Sequence, residues 1–320
     1  MRYPEPEAAT FKASEVLADR AYGAMLGLAI GDALGAPLEF SRRDSLPVVS
    51  ELIGGGPFGL RAGEWTDDMS MALCLADSLI ANGGLNDHDL LDRFLRWWKE
   101  GENSVTGRCF DIGNATRFAL ERYQRLRSPA GSGPREARHA GNGSIMRLAP
   151  AAIFAAPDEE LARALAAGQS EATHANDQTC AASELLATLL VEAMSGRPKE
   201  EVLASRLTFG TVETMDIAAG TWVGKSRDEI HSSGYVLDTL EAALWCVQRT
   251  STFEEALILA VNLGDDSDTV GAVTGQLAGA LYGRSAIPER WLQKLAWREH
   301  IEERVSALLQ AGSAARARAK

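Results

Sequence analysis

The sequence predicts an all-α fold, and three observations support this prediction. No run of residues alternates Val, Ile, Thr or aromatic side chains with polar ones for long, so strand signals are nearly absent. Apolar residues recur instead at helical spacing. Two segments also carry glycines four residues apart, which places those glycines on one face of a helix. With 320 residues, 46% of them hydrophobic, the chain can form a core of ordinary size.

The two glycine series are expected in the centre of the molecule. Each series would form a ridge along a helix, and the two series are Gly23, Gly27, Gly31, Gly35 and Gly271, Gly275, Gly279, Gly283. Glycine within a helix costs about 0.8–1.0 kcal/mol relative to Ala. Close approach of another element would have to compensate for this cost through packing contacts, so we predict that both ridges are buried.

Between the two ridges, the segment from Thr66 to Ile80 reads as an amphipathic helix. Its apolar positions follow the i, i+3, i+4, i+7 rule and are Met69, Ala72, Leu73, Ala76, Leu79 and Ile80. Thr66 is the predicted N-cap, and Asp67 and Asp68 fall in the first turn, where the helix dipole favours negative charge.

Turn-forming residues mark the remaining organisation. Predicted loops rich in Pro, Gly or other turn residues cover 41–63, 128–144 and 225–234. No linker divides the chain. We therefore predict one domain over residues 19–311, a flexible N-terminal extension over 1–18 and a frayed tail over 312–320.

Composition excludes several classes of function. The net charge of −12 is scattered along the chain, which argues against non-specific binding to nucleic acid or to an anionic membrane. Residues 1–20 lack the apolar core of a secretory signal, and the longest uncharged stretch, 269–283, is too short and polar to cross a bilayer. The four cysteines form no CxxC pair, so we expect a soluble cytoplasmic protein with reduced thiols.

Two acidic motifs carry the strongest chemical signal, and each opens a predicted helix. They are Thr66-Asp67-Asp68 and Asp265-Asp266-Ser267-Asp268-Thr269. Clustered carboxylates and hydroxyls suit hard cations such as Mg²⁺ or Mn²⁺. The first motif is also what an ordinary capped helix looks like, and the second fits a solvated loop. However, three aspartates within four residues repel one another, and here they adjoin a glycine ridge that should be buried.

Two other metal-binding patterns agree less well with the spacing. An EF-hand loop starting at Asp266 would place Leu277 at the twelfth position, where a Glu is required. The aspartate-rich helices of isoprenoid synthases have the pattern DDxxD, whereas Asp67 and Asp68 are followed by Met69, Ser70 and Met71. That class stays only as a minor alternative.

Two further motifs could contact a ligand. The backbone N–H groups of Gly141-Asn142-Gly143-Ser144 could form an anion-binding concavity, although this is also common turn chemistry. His174, within Thr173-His174-Ala175-Asn176, could contact a ligand through a ring nitrogen, although a single His is more often a hydrogen-bonded structural residue.

In their order along the chain, these segments resemble the ADP-ribosylglycohydrolase family, which includes dinitrogen-reductase-activating glycohydrolase and the ADP-ribosylarginine and ADP-ribosylserine hydrolases. The matching segments are RAYGAMLGLAIGDALGAPLEF from Arg20, WTDDMSMALCLADSLI from Trp65, DIGNAT from Asp111, GNGSIMRLAP from Gly141, THAND from Thr173, SGYVLDTLEAALW from Ser233 and NLGDDSDTVGAVTGQLAGALYG from Asn262. Any one of them would be moderately specific, and seven in order are highly specific.

The resemblance implies a compact orthogonal multi-helix fold with a binuclear Mg²⁺ or Mn²⁺ centre at the base of an ADP-ribose cleft. By motif position the implied metal ligands are Thr66, Asp67, Asp68, Asp266, Asp268 and Thr269. Asp32 is expected to hold ligands rather than to touch metal. Ligand contacts are implied for Gly141, Asn142, Gly143, Ser144, His174, Gly234 and Tyr235.

The resemblance also suggests two catalytic carboxylates. Glu39 would act as acid/base or position water, and Asp111 would have a catalytic or metal-proximal role, although Asp111 could equally be an N-cap. One departure from the common family pattern is Asp265, which stands where many members have glycine and could shift metal preference or water acidity.

The implied activity is release of ADP-ribose from a modified protein, most readily from arginine, by a monomeric enzyme. Hydrolysis of serine-, DNA- or small-molecule-linked ADP-ribose and a non-catalytic ADP-ribose-binding module remain alternatives. Substrate preference would lie in rim loops such as 41–63 and 128–140.

Overall fold

The structure, a computed structural model, describes residues 6–204 and 210–318 and contains no β-strand within these ranges. The fold is all-α, as predicted. In chain order the helices are α1 Pro6–Gly35, α2 Asp67–Asn82, α3 Asp87–Glu100, α4 Asn114–Leu126, α5 Ala149–Ala155, α6 Glu159–Glu171, α7 Asp177–Met194, α8 Lys199–Leu203, α9 Val212–Ala218, α10 Val236–Arg249, α11 Phe253–Val261, α12 Ser267–Tyr282, α13 Glu289–Leu292 and α14 Arg298–Arg318.

Helices α1 and α12 form the centre of the molecule and pack antiparallel through the two glycine ridges. A Cβ atom added to Gly27 would lie 2.1 Å from the carbonyl oxygen of Gly275, and one added to Gly275 would lie 2.0 Å from that of Gly27. Gly31 and Gly271 face each other in the same way. The prediction that both ridges are buried is confirmed, and the close approach of the two backbones explains why no side chain fits there.

One member of the second series has a different role. Gly283 lies outside α12 as its C-cap, with φ of 81°, and a Cβ at this position would meet the carboxylate of Asp19. It therefore ends the helix instead of extending the ridge.

Helices extend into both of the predicted terminal segments. Helix α1 already begins at Pro6, within the predicted flexible extension 1–18, while residues 1–5 lie outside the described part of the chain. At the other end α14 continues to Arg318, and residues 319 and 320 are outside the described part. The guanidinium of Arg316 donates to the carbonyls of Phe154 and Ala155, which ties the expected frayed tail to the end of α5.

One described helical segment, Ser14–Leu38, is long and apolar enough to cross a membrane by length and composition. The protein interior buries 89% of its most apolar window, as expected of a central core helix. The predicted loops 41–63, 128–144 and 225–234 contain only two short 3₁₀ turns, at Ala137–His139 and Arg227–Glu229.

Candidate active site

Packing of the glycine ridges brings together the acidic residues at the open end of α1 and α12. The α1 chain leaves its ridge at Gly35 and reaches Glu39 through one 3₁₀ turn, beside the start of α12. The Glu39 carboxylate accepts a hydrogen bond from the Ser267 N–H (3.0 Å), and the Ser267 hydroxyl donates to the Gly35 carbonyl (2.9 Å). As a result, carboxylate oxygens of Glu39, Asp266 and Asp268 all lie within 4.8 Å of one another.

The first acidic motif joins this cluster from α2. Thr66 is the N-cap residue as predicted, but its side chain makes no capping hydrogen bond. The carboxylate of Asp32 takes this role instead, accepting from the N–H groups of Thr66 (2.8 Å) and Met69 (3.1 Å). Asp32 therefore fixes the start of α2, in keeping with its predicted supporting role.

Because Asp32 caps the helix, oxygens of the Thr66–Asp68 motif remain available. Thr66 Oγ1 and Asp68 Oδ2 are buried and have no hydrogen-bond partner among the described residues. The other oxygen of Asp68 accepts a long hydrogen bond from the Thr269 hydroxyl (3.4 Å), which joins α2 to α12. Buried oxygens without partners are costly, which indicates that a ligand completes this cluster.

The carboxyl groups of the cluster raise one another's pKa. Burial and the neighbouring Asp268 raise the pKa of Glu39 to about 12. The same two causes raise the pKa of Asp266 to about 7 and that of Asp111 to about 8. Burial, followed by nearby carboxylates, also raises the pKa values of the deeply buried Asp67 and Asp68. So much negative charge in a buried site requires protons or cations to neutralise it.

Asp111 enters the site from the loop before α4. The helix N-cap is Gly113, so the alternative interpretation of Asp111 as an N-cap is wrong. Its backbone has a φ of 57°, and its side chain has no hydrogen-bond partner among the described residues. Asp111 therefore faces the site with a carboxyl group that is free to interact with a ligand.

The Gly141–Ser144 loop closes another side of the site. Asn142 donates through Nδ2 to Asp266 (2.8 Å) and to the hydroxyl of Thr239 (2.9 Å), and its N–H donates to the Gly234 carbonyl (3.1 Å). Gly141 forms an isolated antiparallel bridge with Tyr235. This loop is thereby joined both to the acidic cluster and to the segment before α10.

These residues enclose a cavity of about 390 Å³, within the size range of small-molecule sites. Most of the predicted site residues line it: Glu39, Asp67, Asp111, Gly141, Asn142, Gly143, His174, Gly234, Asp266, Asp268 and Thr269. Four predicted residues are not among the lining residues. Thr66 and Asp68 lie in the buried cluster, Ser144 is fully buried and receives a hydrogen bond from Ser183 (3.2 Å), and the Tyr235 hydroxyl donates to Gln178 (2.8 Å).

Sequence reasoning missed several lining residues, among them Phe40, Arg138 and His139. Phe40 is 66% exposed, has a φ of 60° and contacts Phe58 edge-on at 6.2 Å between ring centroids. An exposed aromatic residue in a loop has no pattern that would reveal it. Arg138 and His139 lie within the segment 128–140, for which only a general substrate-rim role was expected.

Four helix N-termini converge on this cavity. Asp67 opens α2, Asn114 opens α4, Gly234 precedes α10, and Asp268 lies in the first turn of α12. The N-terminal end of a helix attracts anions because its free N–H groups and dipole are positive. At the starts of α2 and α12 the N–H groups already donate to the carboxylates of Asp32 and Glu39, so these helix termini help to stabilise the negative charge of the cluster.

Comparison with known proteins gives a consistent family assignment. The profile of the ADP-ribosylglycohydrolase family matches residues 13–318. The chain is 50% identical over 303 residues to the ADP-ribosylarginine hydrolase Tri1 of Pseudomonas putida, with 94% of this chain and 81% of that protein covered. It is 35% identical over 301 residues to the ADP-ribosyl-[dinitrogen reductase] glycohydrolase of Rhodospirillum rubrum, covering 91% and 96% respectively.

A solved structure gives the same relationship. It is described as an ADP-ribosylglycohydrolase-related protein complex and superposes with a TM-score of 0.82 at 43% sequence identity. The alignment covers 93% of this chain and 99% of that one.

Proposed function

The chain belongs to the ADP-ribosylglycohydrolase family, whose members are hydrolases of glycosidic bonds, and from this premise we propose that it releases ADP-ribose from modified arginine side chains of proteins. The relatives named as ADP-ribosylarginine hydrolases, at 50% and 48% identity, support the arginine linkage. The observation that carries the catalytic part of the proposal is the buried acidic cluster, two of whose oxygens have no hydrogen-bond partner among the described residues.

Divalent cations fit this cluster. The donor set consists only of carboxylate and hydroxyl oxygens, which Mg²⁺ and Mn²⁺ prefer, and two buried oxygens lack any partner among the described residues. We propose that a pair of such ions is held by Thr66, Asp67, Asp68, Asp266, Asp268 and Thr269. When bound, the ions would neutralise the cluster, orient hydroxyl groups of the substrate and increase the acidity of water.

The remaining polar groups have different roles in the proposed reaction. Glu39 has one carboxylate oxygen held by the Ser267 N–H, so its position is fixed, and we assign it to positioning the attacking water. Asp111 has no such restraint, and we assign to its carboxyl group the proton transfer to the departing arginine nitrogen. Water then supplies the hydroxyl at the ribose C1″, and its proton restores Asp111. The Asp266-bound amide of Asn142 and the adjoining glycine backbone would hold the rest of the ligand.

The proposal is tested by measuring ADP-ribose release from an arginine-ADP-ribosylated protein in Mg²⁺ or Mn²⁺, with a serine-ADP-ribosylated protein as the comparison substrate. We expect release from arginine and much slower release from serine. Asp111→Asn should lower kcat by about 10²-fold or more with little change in KM, because it removes the proton-transfer group. Binding of ADP-ribose without release from either substrate would contradict the proposal and favour a binding module.

A further inference from the structure

Behind the cavity lies a buried guanidinium that forms no ion pair with any described residue. Arg147 is 0% exposed, and no carboxylate within the described residues forms a salt bridge with it. Burial lowers the pKa of Arg147 to about 9, which leaves the side chain protonated at neutral pH. Buried charges are rare because desolvation is costly, so an unpaired one calls for an explanation in terms of what it holds in place.

Hydrogen bonds to neutral groups satisfy most of the Arg147 donors. Its Nε donates to Gln169 Oε1 (2.9 Å), Nη2 donates to the Gln169 carbonyl (2.9 Å), and Nη1 points to the sulfur of Met71 (3.8 Å). The Gln169 amide in turn donates to the Ser144 carbonyl (2.9 Å), which fixes its orientation and joins Arg147 to the glycine-rich loop. The guanidinium also lies 4.6 Å above the ring of Phe94.

The second hydrogen bond of Nη2 determines the role of Thr173. Arg147 Nη2 donates to Thr173 Oγ1 (2.8 Å), and Thr173 Oγ1 lies 2.8 Å from Nδ1 of His174. Arg147 has no acceptor atom, so the hydroxyl oxygen must accept from it. Within the described part of the chain, His174 Nδ1 is the only acceptor near the hydroxyl hydrogen. A hydroxyl that donates to Nδ1 satisfies its own hydrogen and leaves Nδ1 unprotonated, whereas an Nδ1–H donor would leave the buried hydroxyl hydrogen without an acceptor in that part of the chain.

The other ring nitrogen of His174 lies beside the glycine-rich loop that lines the cavity. His174 lines the cavity although it is only 3% exposed. Its Nε2 would lie 2.9 Å from a Cβ added to Gly143 and 3.7 Å from one added to Gly141, so the ring packs directly against the backbone of the loop. Burial and the charge of Arg147 lower the pKa of His174 to about 3, so the ring is neutral and has one N–H group.

We propose that Arg147 and Thr173 are positioning residues that hold His174 as the Nε2–H tautomer, so that the ring donates a hydrogen bond to an oxygen of the ligand bound beside Gly141 and Gly143. The identity of that ligand as ADP-ribose rests on the proposed function, whereas the tautomer does not. The guanidinium of Arg147 thus acts through Thr173: it donates to the hydroxyl oxygen and holds the hydroxyl beside Nδ1, the acceptor that the hydroxyl hydrogen needs.

The tautomer can be measured directly by ¹⁵N NMR of protein labelled at its five histidines, without substrate, with His174→Gln used for assignment. The wild type should show an unprotonated Nδ1 and a protonated Nε2 at His174. Thr173→Val should remove this preference, and Thr173→Ser, which keeps the hydroxyl, should retain it. A protonated Nδ1 in the wild type would overturn the proposal, and so would an unchanged tautomer in Thr173→Val.

A binding measurement provides the second readout. By calorimetry with Mg²⁺-loaded protein, Thr173→Val should bind ADP-ribose about tenfold more weakly than wild type, and Thr173→Ser about equally well. Equal affinity of folded Thr173→Val and wild type would overturn the role in ligand binding. If Thr173→Val does not fold, the wild-type spectrum still decides the tautomer. Failure of the proposed function would appear separately, as no ADP-ribose release from arginine while the tautomer result stands.

Discussion

The glycine interface and the acidic cluster lie at successive points along the same two helices, and both are buried, but they are stabilised in opposite ways. Between α1 and α12, backbone packs on backbone, and the contact is complete within the protein. At the open end of the same helix pair, Thr66 Oγ1 and Asp68 Oδ2 have no hydrogen-bond partner in the described part of the chain, and several carboxyl groups have raised pKa values. The first region is therefore completed by the protein itself, whereas the second, on the proposed function, is completed by bound cations.

The largest effect should follow from a change in the acidic cluster. Asp268→Asn preserves the size of a side chain that is 2% exposed but removes a charge from the centre of the cluster. We expect ADP-ribose release to fall by about 10³-fold or more, because the variant loses several kcal/mol of cation-dependent transition-state stabilisation.

The thermal stability of the metal-free Asp268→Asn variant should equal or exceed that of metal-free wild type, because like-charge repulsion decreases. Steady-state kinetics and thermal melting would check both parts. A variant that loses both stability and activity would show instead that Asp268 belongs structurally with the glycine interface.

In the glycine interface between α1 and α12, by contrast, the main expected effect of a substitution is a loss of stability. Gly275→Ala would place a Cβ 2.0 Å from the Gly27 carbonyl oxygen, and because neither backbone can move without shifting a central helix, we expect about 3 kcal/mol of destabilisation or more. Gly113→Ala is the control, because this exposed N-cap glycine has a φ of −62° and its nearest contact to an added Cβ is at 4.0 Å. Denaturant unfolding of both variants would measure the difference, and equal stability would mean that the ridge contact is looser than the structure shows.

A smaller effect is expected from pH and metal together. The folded-state pKa values of Asp266 and Asp111, about 7 and about 8, lie above the ordinary value of 3.8. The folded metal-free protein thus binds more protons than the unfolded chain between about pH 4 and pH 8, so its stability should decrease as pH rises through this window.

Mg²⁺ or Mn²⁺ should reverse this decrease, because cations bind the ionised carboxylates of the folded state. Melting temperatures with chelator and with Mn²⁺ at pH 5, 6, 7 and 8 would measure the effect. If the two series ran parallel, the cluster would not be the site of cation binding.

The two regions were also predictable to different degrees. The four-residue spacing of glycines is visible in the sequence, and it led to the correct prediction that both ridges are buried. The spacing does not say that Gly27 meets Gly275, because two ridges could equally pack against other elements. That pairing places Glu39 beside Asp266 and Asp268. The residues of the cluster could therefore be predicted from the family resemblance, but their arrangement in space is known only from the structure.

Residues that act through another residue were hardest to predict. The start of α2 is capped by the carboxylate of Asp32 and not by the Thr66 side chain, and these two residues are 34 positions apart in the sequence. Arg147 and His174 are 27 positions apart and are connected through the hydroxyl of Thr173. Such contacts leave no periodic pattern in the sequence from which they could be predicted. Phe40 was missed for another reason, since its position on the cavity rim depends on a backbone with positive φ that aromatic residues seldom adopt.

The smallest effect should come from Asp265, which lies in the acidic motif but outside the cluster. Its side chain is exposed and does not line the ligand cavity, and its backbone is held by an N–H bond to the Ser41 carbonyl and by a carbonyl bond from the Phe40 N–H, both 2.8 Å. Asp265 has a φ of 63°, a conformation that is strained for residues other than glycine. Asp265→Gly relieves about 1 kcal/mol of this strain in the folded chain, but it also stabilises the unfolded chain by a similar free energy, because glycine increases its conformational entropy. Stability should therefore change by less than about 0.5 kcal/mol.

The same Asp265→Gly variant is the matched control for Asp268→Asn, because both substitutions remove one negative charge from the same short segment. We expect kcat/KM of Asp265→Gly to stay within about twofold of wild type with either Mg²⁺ or Mn²⁺, since water screens an exposed carboxylate. A changed ratio of Mg²⁺- to Mn²⁺-supported activity would mean that its charge does reach the bound ions. In that case the functional site would include not only the residues that line the cavity but all three carboxylates of the motif, Asp265, Asp266 and Asp268.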